Sequence, residues 1–139
     1  MKINFEKKIN LDFKTNEAYK TLRTNISFAG DNIHVIALTS SVPNEGKSAV
    51  CFNLAKSLAE DDKKVLYIDA DIRKSVTIAR YGVDIETKGL THYLSGQKEL
   101  KDVVYETNIP NLSIIFTGQV APNPAELLGN DRFKRMLVE

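Results

Sequence analysis

The residues best suited to chemistry form an octet at positions 41–48, with the sequence SVPNEGKS. The octet fits the pattern G-x-x-x-x-G-K-S/T of phosphate-binding loops, except that Ser41 replaces the first glycine. In such a loop, backbone N–H groups and the positive end of the following helix point at phosphate oxygens. The octet therefore predicts a site for the phosphates of a nucleotide, with ATP as the expected ligand.

Each residue type in the octet has its own expected task. Gly46 lets the chain approach a phosphate without a Cβ, and Lys47 can reach the β- and γ-phosphate oxygens. Ser48 can give its hydroxyl to Mg²⁺, which prefers hard oxygen ligands. The residues expected to bind the nucleotide are Ser41, Asn44, Glu45, Gly46, Lys47, Ser48 and Ala49. The alternative interpretation is an ordinary strand–turn–helix with Gly-Lys-Ser at the start of a helix.

Two carboxylates, Asp69 and Asp71, follow the next apolar run. Ligands of open α/β sheets bind beyond the carboxyl ends of the strands, so parallel neighbours would bring these acids to the γ-phosphate. We expect Asp69 to hold Mg²⁺ together with Ser48, and Asp71 to take the proton of an incoming hydroxyl or to share the metal. The expected catalytic residues are thus Lys47, Asp69 and Asp71. The alternative is a solvated loop that carries two acids.

The elements that must position these residues alternate between helix and strand. This alternation indicates an α/β fold, with a parallel sheet flanked by helices as in P-loop nucleotide-binding proteins. Asn16 is the predicted N-cap of the first helix. The predicted helices cover residues 16–29 and 47–60, two short segments within 89–105, and a segment after the turn at 122–124; the predicted buried strands cover residues 33–40, 64–69 and 112–116. Because a doubly wound sheet usually has about five or six strands, we expect a partial domain.

Composition narrows the class of protein. The chain has 139 residues and a formal charge of +1, which by itself indicates nothing about a nucleic-acid or acidic partner. Lys and Arg are scattered, and no nucleic-acid partner is expected. Cys51 is the only cysteine, which excludes a disulfide framework; it is expected to be a small buried side chain rather than a thiol of low pKa. His34 and His92 lack metal-ligand spacing. No apolar run approaches the roughly 18 residues of a membrane span, so a cytoplasmic protein is expected.

Together, the octet and the run VLYIDADIRKS resemble the bacterial tyrosine kinases of capsular and exopolysaccharide synthesis. In that family a Walker A loop is followed by a Walker A′ strand that carries D-x-D and then an arginine. The matching residues here are Gly46, Lys47, Ser48, Asp69, Asp71 and Arg73. The segment PNPAELL at residues 122–128 also resembles the family, and the likeness extends from about residue 16 to residue 139.

A further match is the segment EAYKTLR, which resembles the family's E-x-x-R-x-x-R oligomerisation helix. Glu17 and Arg23 match, whereas Lys20 replaces the middle arginine and cannot reproduce its bidentate contact. The resemblance thus implies an oligomer interface at Glu17, Lys20 and Arg23, and a ring of copies as the assembly.

The resemblance also implies an activity and a partner. Transfer of the ATP γ-phosphoryl group to protein tyrosine is expected, together with a membrane activator protein of the polysaccharide-export system that recruits the chain to the inner face of the membrane. Residues 1–15 would form an N-terminal arm and residues 16–139 the N-terminal part of the kinase domain, without the family's Walker B strand and tyrosine cluster. We therefore expect weak activity from these 139 residues.

Two other functions stay open on sequence grounds. A partitioning or cell-division ATPase would carry a signature lysine where this chain has Val42, which argues against that function. A nucleotide-binding module without transferase activity is the second alternative, because one acid on the magnesium side is missing.

Overall fold

A computed structural model of the chain describes residues 2–3, 12–41, 46–72, 88–119 and 121–138. At its centre is a four-stranded sheet with the order β1-β3-β4-β2. The strands are β1 (Lys2–Ile3), β2 (Val65–Ile68), β3 (Tyr105–Thr107) and β4 (Leu112–Ile115). The pairs β1–β3 and β2–β4 are parallel, and β3–β4 is antiparallel. The predicted α/β fold is confirmed, with one antiparallel pair within a mainly parallel sheet.

The described part of the chain contains six helices, namely α1 (Phe13–Ala29), α2 (Lys47–Glu60), α3 (Leu90–Leu94), α4 (Leu100–Val103), α5 (Pro124–Leu128) and α6 (Asp131–Val138). The bounds of α2 are those that the sequence predicted. None of the helices in the described ranges is long and apolar enough to span a bilayer.

The predicted start of α1 at Asn16 is wrong. The helix begins at Phe13, and its N-cap is Asp12, whose carboxylate accepts the backbone N–H of Thr15 at 2.7 Å. That hydrogen bond lowers the pKa of the Asp12 carboxyl, because it favours the charged form. An aspartate satisfies the free N–H groups of the first turn and also complements the helix dipole, so the helix extends back to it.

The core consists of two apolar clusters on opposite faces of the sheet. In β4, Ile114 belongs to one cluster and Ile115 to the other, because successive side chains of a strand point to opposite faces. The first cluster joins α2 to the sheet and the second joins α3 and α6 to it. Their buried members are Phe52, Ala55, Ala59, Tyr67, Tyr105, Leu112, Ile114 and Phe116 in the first, and Ile72, Leu90, Tyr93, Leu94, Val103, Ile115 and Met136 in the second. Burial on both faces is the arrangement that the apolar run at 112–116 predicted.

The predicted strand over residues 33–40 is wrong, since these residues form no regular element. Ile33, Val35 and Ile36 remain 43%, 58% and 41% exposed. An extended run becomes a strand only when a neighbour satisfies its N–H and C=O groups, and no strand of the described sheet pairs with this one. The apolar composition therefore marks an exposed segment that leads to the octet.

Two strands were not predicted, β1 and β3. The sequence favoured two short helices within 89–105, and α3 and α4 confirm them, but Tyr105 already begins β3. Three residues are too few for a periodic pattern, so this strand is defined by its pairing with β4 on one side and with β1 on the other. The helical region after the turn at 122–124 is likewise two helices, α5 and α6, separated at Asn130, whose carbonyl oxygen Oδ1 accepts the N–H of Phe133 at 3.1 Å.

Candidate phosphate-binding site

The start of α2 has the backbone geometry that a phosphate site requires. Gly46 is the N-cap residue, with a φ of 83° in the left-handed region, which glycine adopts without steric cost. Its carbonyl accepts the N–H of Val50 at 2.9 Å, so the helix begins directly after it. The first N–H groups of a helix have no partner within the helix, and no acidic residue lies in this first turn. The positions of Lys47, Ser48 and Ala49 therefore favour an anion.

The acid pair lies at the carboxyl end of β2. Asp69 directly follows the last strand residue, and its N–H donates to the carbonyl of Ile115 at 2.9 Å, which continues the pairing with β4. The carboxylate of Asp69 accepts the backbone N–H of Asp71 at 3.2 Å, and Asp69 is only 5% exposed. These bonds hold the two acids next to each other at the edge where the sequence placed them.

One ion pair connects the start of α2 with the end of β2. The ammonium Nζ of Lys47 lies 3.7 Å from Oδ2 of Asp71, and both side chains are about one-third exposed. An ion pair this accessible contributes little to stability, but it shows that the two side chains lie close together. The structure thus brings Lys47, Asp69 and Asp71 into one corner, with Ser48 beside Lys47 on the first turn of α2.

The pKa of the Cys51 thiol is affected by charges on both sides of this corner. Burial raises the pKa of its half-buried thiol, the negative charge of Asp69 raises it further, and the positive charge of Lys47 opposes the increase. The raised pKa agrees with the expectation that the thiol is not of low pKa, whereas the side chain is half-buried rather than buried as expected. It also indicates that the field of Asp69 reaches the second turn of α2.

The carboxyl end of β4 supports the acid pair from the other side. The hydroxyl of Thr117 donates to the carbonyl of Asp69 at 3.3 Å, and Thr117 is 2% exposed. The carbonyl of Thr117 in turn accepts the N–H of Thr91 at 3.0 Å, so α3 begins at this same edge. Sequence analysis did not select Thr117. The available signal was its position directly after the predicted strand 112–116, where ligands of α/β sheets bind.

A glycine pair allows α3 to approach this edge closely. Gly118 has a φ of 80°, and a Cβ on Gly89 would lie 2.3 Å from the carbonyl oxygen of Phe116. Any larger residue at position 89 would therefore displace the backbone that follows β4. His92 contributes its ring to the same contact, since its Nδ1 accepts the N–H of Gly89 at 3.0 Å. This bond gives His92 a structural role.

The oxygen donors in the corner fit a magnesium ion that arrives with a nucleotide. Ser48, Asp69 and Asp71 offer a hydroxyl and two carboxylates, all of them hard ligands. In the parts of the chain that the structure covers, no group of three or more His, Cys, Asp or Glu side chains could hold a metal by itself. Mg²⁺ is commonly bound by one or two carboxylates together with substrate phosphates and water, and this donor set suits that arrangement.

Some predicted residues lie elsewhere or outside the described ranges. Ser41 is exposed and directly precedes a stretch that the structure does not describe. Asn44, Glu45 and Arg73 fall outside the described residues, so their predicted contacts with the nucleotide and the acid pair stay predictions.

The residues predicted for an oligomer interface lie on α1. Nζ of Lys20 is 3.3 Å from Oε1 of Glu17 within the helix, and Nη1 of Arg23 donates to the carbonyl of Ser57 on α2 at 2.6 Å. Arg23 therefore uses one of its donors inside the chain. The remainder of α1 has no buried residue.

Comparison with known proteins gives a consistent result. The family model described as an AAA domain matches residues 33–138. Tyrosine-protein kinase CpsD of Streptococcus agalactiae is 44% identical over 124 residues, which are 89% of this chain and 54% of CpsD. Tyrosine-protein kinase YwqD of Bacillus subtilis is 38% identical over 125 residues, 88% of this chain and 52% of YwqD.

A solved structure extends the comparison to the fold. The kinase domain of the Escherichia coli tyrosine kinase ETK superposes with a TM-score of 0.83 at 34% identity, over 96% of this chain and 56% of that domain. The chain spans about half the length of the curated relatives it matches.

Proposed function

Because this chain belongs to the AAA domain family and its relatives are named tyrosine-protein kinases, we propose that it is an ATP-dependent protein-tyrosine kinase domain acting in capsular or exopolysaccharide synthesis and export. The observation that carries the proposal is the 3.7 Å contact between Lys47 and Asp71. It joins a helix start suited to phosphates with a pair of acids suited to a metal and a proton.

The nucleotide would be held by the start of α2. The N–H groups after Gly46 would bind phosphate oxygens, and the helix dipole would add to the attraction. Lys47 would neutralise charge on the β- and γ-phosphates, and Ser48 and Asp69 would hold Mg²⁺. When bound, the cation would supply positive charge that offsets the negative charge of the phosphates.

The transfer itself would depend on positioning. The tyrosine oxygen forms a bond to the γ-phosphorus while the bond from that phosphorus to the bridging oxygen of ADP breaks, and the phenolic proton passes to the carboxylate of Asp71. Asp71 contacts Lys47 in the described structure, so the phosphates and Asp71 would both interact with the same ammonium group. Asp71 would accept the proton while Lys47 turns toward the phosphates.

Partners would bind away from this corner. The exposed side chains of α1 support a self-association surface, because Phe13 and Phe28 are 81% and 83% exposed on a helix without buried residues. We infer that this surface joins copies of the chain through Glu17, Lys20 and Arg23. A membrane adaptor of the polysaccharide-export system would recruit the cytoplasmic chain to the inner face of the membrane. Nucleic acid is not a proposed partner.

The first experiment compares ATP binding by the wild-type chain and by Lys47→Met, with Lys101→Met on α4 as a control that also removes one lysine charge. We expect Lys47→Met to weaken ATP binding by at least about tenfold, since a charge-assisted contact is lost, and Lys101→Met to leave it unchanged. Equal ATP affinities for all three proteins would contradict the proposed nucleotide site.

The second experiment measures phosphotyrosine by mass spectrometry after incubation with ATP, Mg²⁺ and the membrane adaptor. Phosphotyrosine that forms with the wild-type chain and not with Asp71→Asn supports the transferase. The second candidate function is a nucleotide-binding module without transferase activity. This second function is supported if Lys47→Met no longer binds ATP and no phosphotyrosine forms with the wild-type chain or either variant.

A further inference from the structure

We propose that Thr117 is a positioning residue, whose buried hydroxyl fixes the backbone of Asp69 so that the acid pair faces the cation that accompanies the nucleotide. The inference rests on the proposed function, because the role of Asp69 toward Mg²⁺ belongs to that function.

The geometry places Thr117 where the regular sheet ends. The ladder between β2 and β4 stops at Ile68 and Ile115, and both acids come after that point. Asp69 is nevertheless bonded on both of its backbone groups. Its N–H donates to the carbonyl of Ile115 at 2.9 Å, and its carbonyl accepts the hydroxyl of Thr117 at 3.3 Å. The hydroxyl thus takes the place of the next ladder bond.

The backbone of the neighbouring segment turns away directly after Thr117. Gly118 follows with a φ of 80°, so the chain after Thr117 leaves the strand direction. Thr117 is itself fixed, since its carbonyl accepts the N–H of Thr91 at the start of α3. The contacts therefore form a continuous series from α3 through Thr117 to Asp69.

Loss of the hydroxyl would remove the hydrogen bond that Thr117 donates to the peptide carbonyl between Asp69 and Ala70 and so loosen that peptide. That peptide leads directly to Asp71, whose N–H is bonded to the carboxylate of Asp69 at 3.2 Å. Rotation there would change the direction of both carboxylates while leaving the start of α2 in place. Affinity for the nucleotide alone would persist, and the gain in affinity that Mg²⁺ provides would decrease.

The test measures ATP affinity in EDTA and in excess Mg²⁺ for the wild-type chain, Thr117→Val and Thr117→Ser. Valine has nearly the shape of threonine but no hydroxyl, whereas serine keeps the hydroxyl. We expect Thr117→Val to lose about tenfold of the gain in ATP affinity that Mg²⁺ provides, as is typical when a residue that orients a metal ligand is lost. Its ATP affinity in EDTA should be unchanged, and Thr117→Ser should keep the gain.

Thr107→Val is the matched control. The hydroxyl of Thr107 is also buried and also donates to a carbonyl of the neighbouring strand, that of Leu112 at 2.6 Å, but at the opposite end of β4. We expect this variant to lose stability and to keep the full gain from Mg²⁺. If Thr117→Val keeps the full gain, or Thr107→Val loses as much of it, the positioning role is overturned.

A second measurement keeps the inference testable if Thr117→Val does not fold or if the wild-type chain shows no response to Mg²⁺. Hydrogen exchange of the Asp71 amide is compared in the wild-type chain, Thr117→Ser and Thr117→Ala. Faster exchange in Thr117→Ala alone supports the role, and equal exchange in all three overturns it. A wild-type chain that binds no ATP overturns the proposed function without touching this result.

Discussion

The two long helices, α1 and α2, pack against each other but relate to the core in opposite ways. Of the 14 residues of α2, six are buried, whereas none of the 17 residues of α1 is. The start of α2 is therefore held by the core that also holds β2. Phe13, Leu22 and Phe28 of α1 remain exposed, and a hydrogen bond from Arg23 to Ser57 connects the two helices. The comparison shows that the chemical corner depends on the buried helix and that the exposed helix is free to bind another surface.

Truncation of one phenylalanine on each helix should show the difference between the two helices most clearly. Phe52 is fully buried and meets the ring of Tyr67 edge-on at 5.7 Å between ring centroids, so Phe52→Ala should cost about 3–5 kcal/mol of the free energy of unfolding. Phe28→Ala on α1 should change it by less than about 0.5 kcal/mol. Urea denaturation measures both, and equal losses would contradict the contrast.

The attachment of α1 to α2 provides the next largest effect. Arg23→Met removes the 2.6 Å hydrogen bond to the carbonyl of Ser57, which lies in a buried residue, and should cost about 1–2 kcal/mol of stability. Lys20→Met removes only an accessible pair within α1 and should have little effect. The comparison is measured by thermal unfolding, and a larger loss for Lys20→Met would show that the attachment is elsewhere.

Alkylation of Cys51 tests whether the start of α2 lies in the field of β2. Since burial and the charge of Asp69 both raise the pKa of the thiol, less thiolate is present at a given pH and alkylation should be slower than for a free cysteine. Asp69→Asn should lower that pKa and speed the reaction, although burial keeps the pKa above its ordinary value. Alkylation rates measured from about pH 7 to 10 give the change in the pKa of the thiol. Identical pH profiles for the wild-type chain and Asp69→Asn would show that the charge of Asp69 does not act on Cys51.

The smallest expected effect is the pH dependence at His92. Burial is the main cause that lowers the pKa of this imidazole below its ordinary value of 6.5, so the folded state favours the neutral ring that accepts the N–H of Gly89. The stability from this group is complete above pH 6.5 and is lost as the pH falls below it, because the unfolded chain binds the proton first. Urea midpoints at about pH 5 and pH 7.5 should differ more for the wild-type chain than for His92→Gln.

Several elements could be predicted from sequence because their causes are local. The stripe of apolar residues in 47–60 specifies α2 almost to the residue, and the β-branched runs at 64–69 and 112–116 specify β2 and β4. Asp12 was missed as the cap of α1 because Asn16 offers a similar signal four residues later. β3 was missed because three residues carry too little pattern, and its identity as a strand comes from Tyr105 pairing with Ile114.

The sequence by itself determined the chemical residue types: a glycine, a lysine and a serine at a helix start, and two acids after a strand. Spacing along the chain suffices for this, because a helix start and a strand end each have local signals. Only the tertiary structure decided that Lys47 and Asp71 meet, that Thr117 bonds to Asp69 from a segment 48 residues away, and that Ile33, Val35 and Ile36 stay exposed. These outcomes depend on which strands pair, and pairing is a contact between distant segments that no local pattern records.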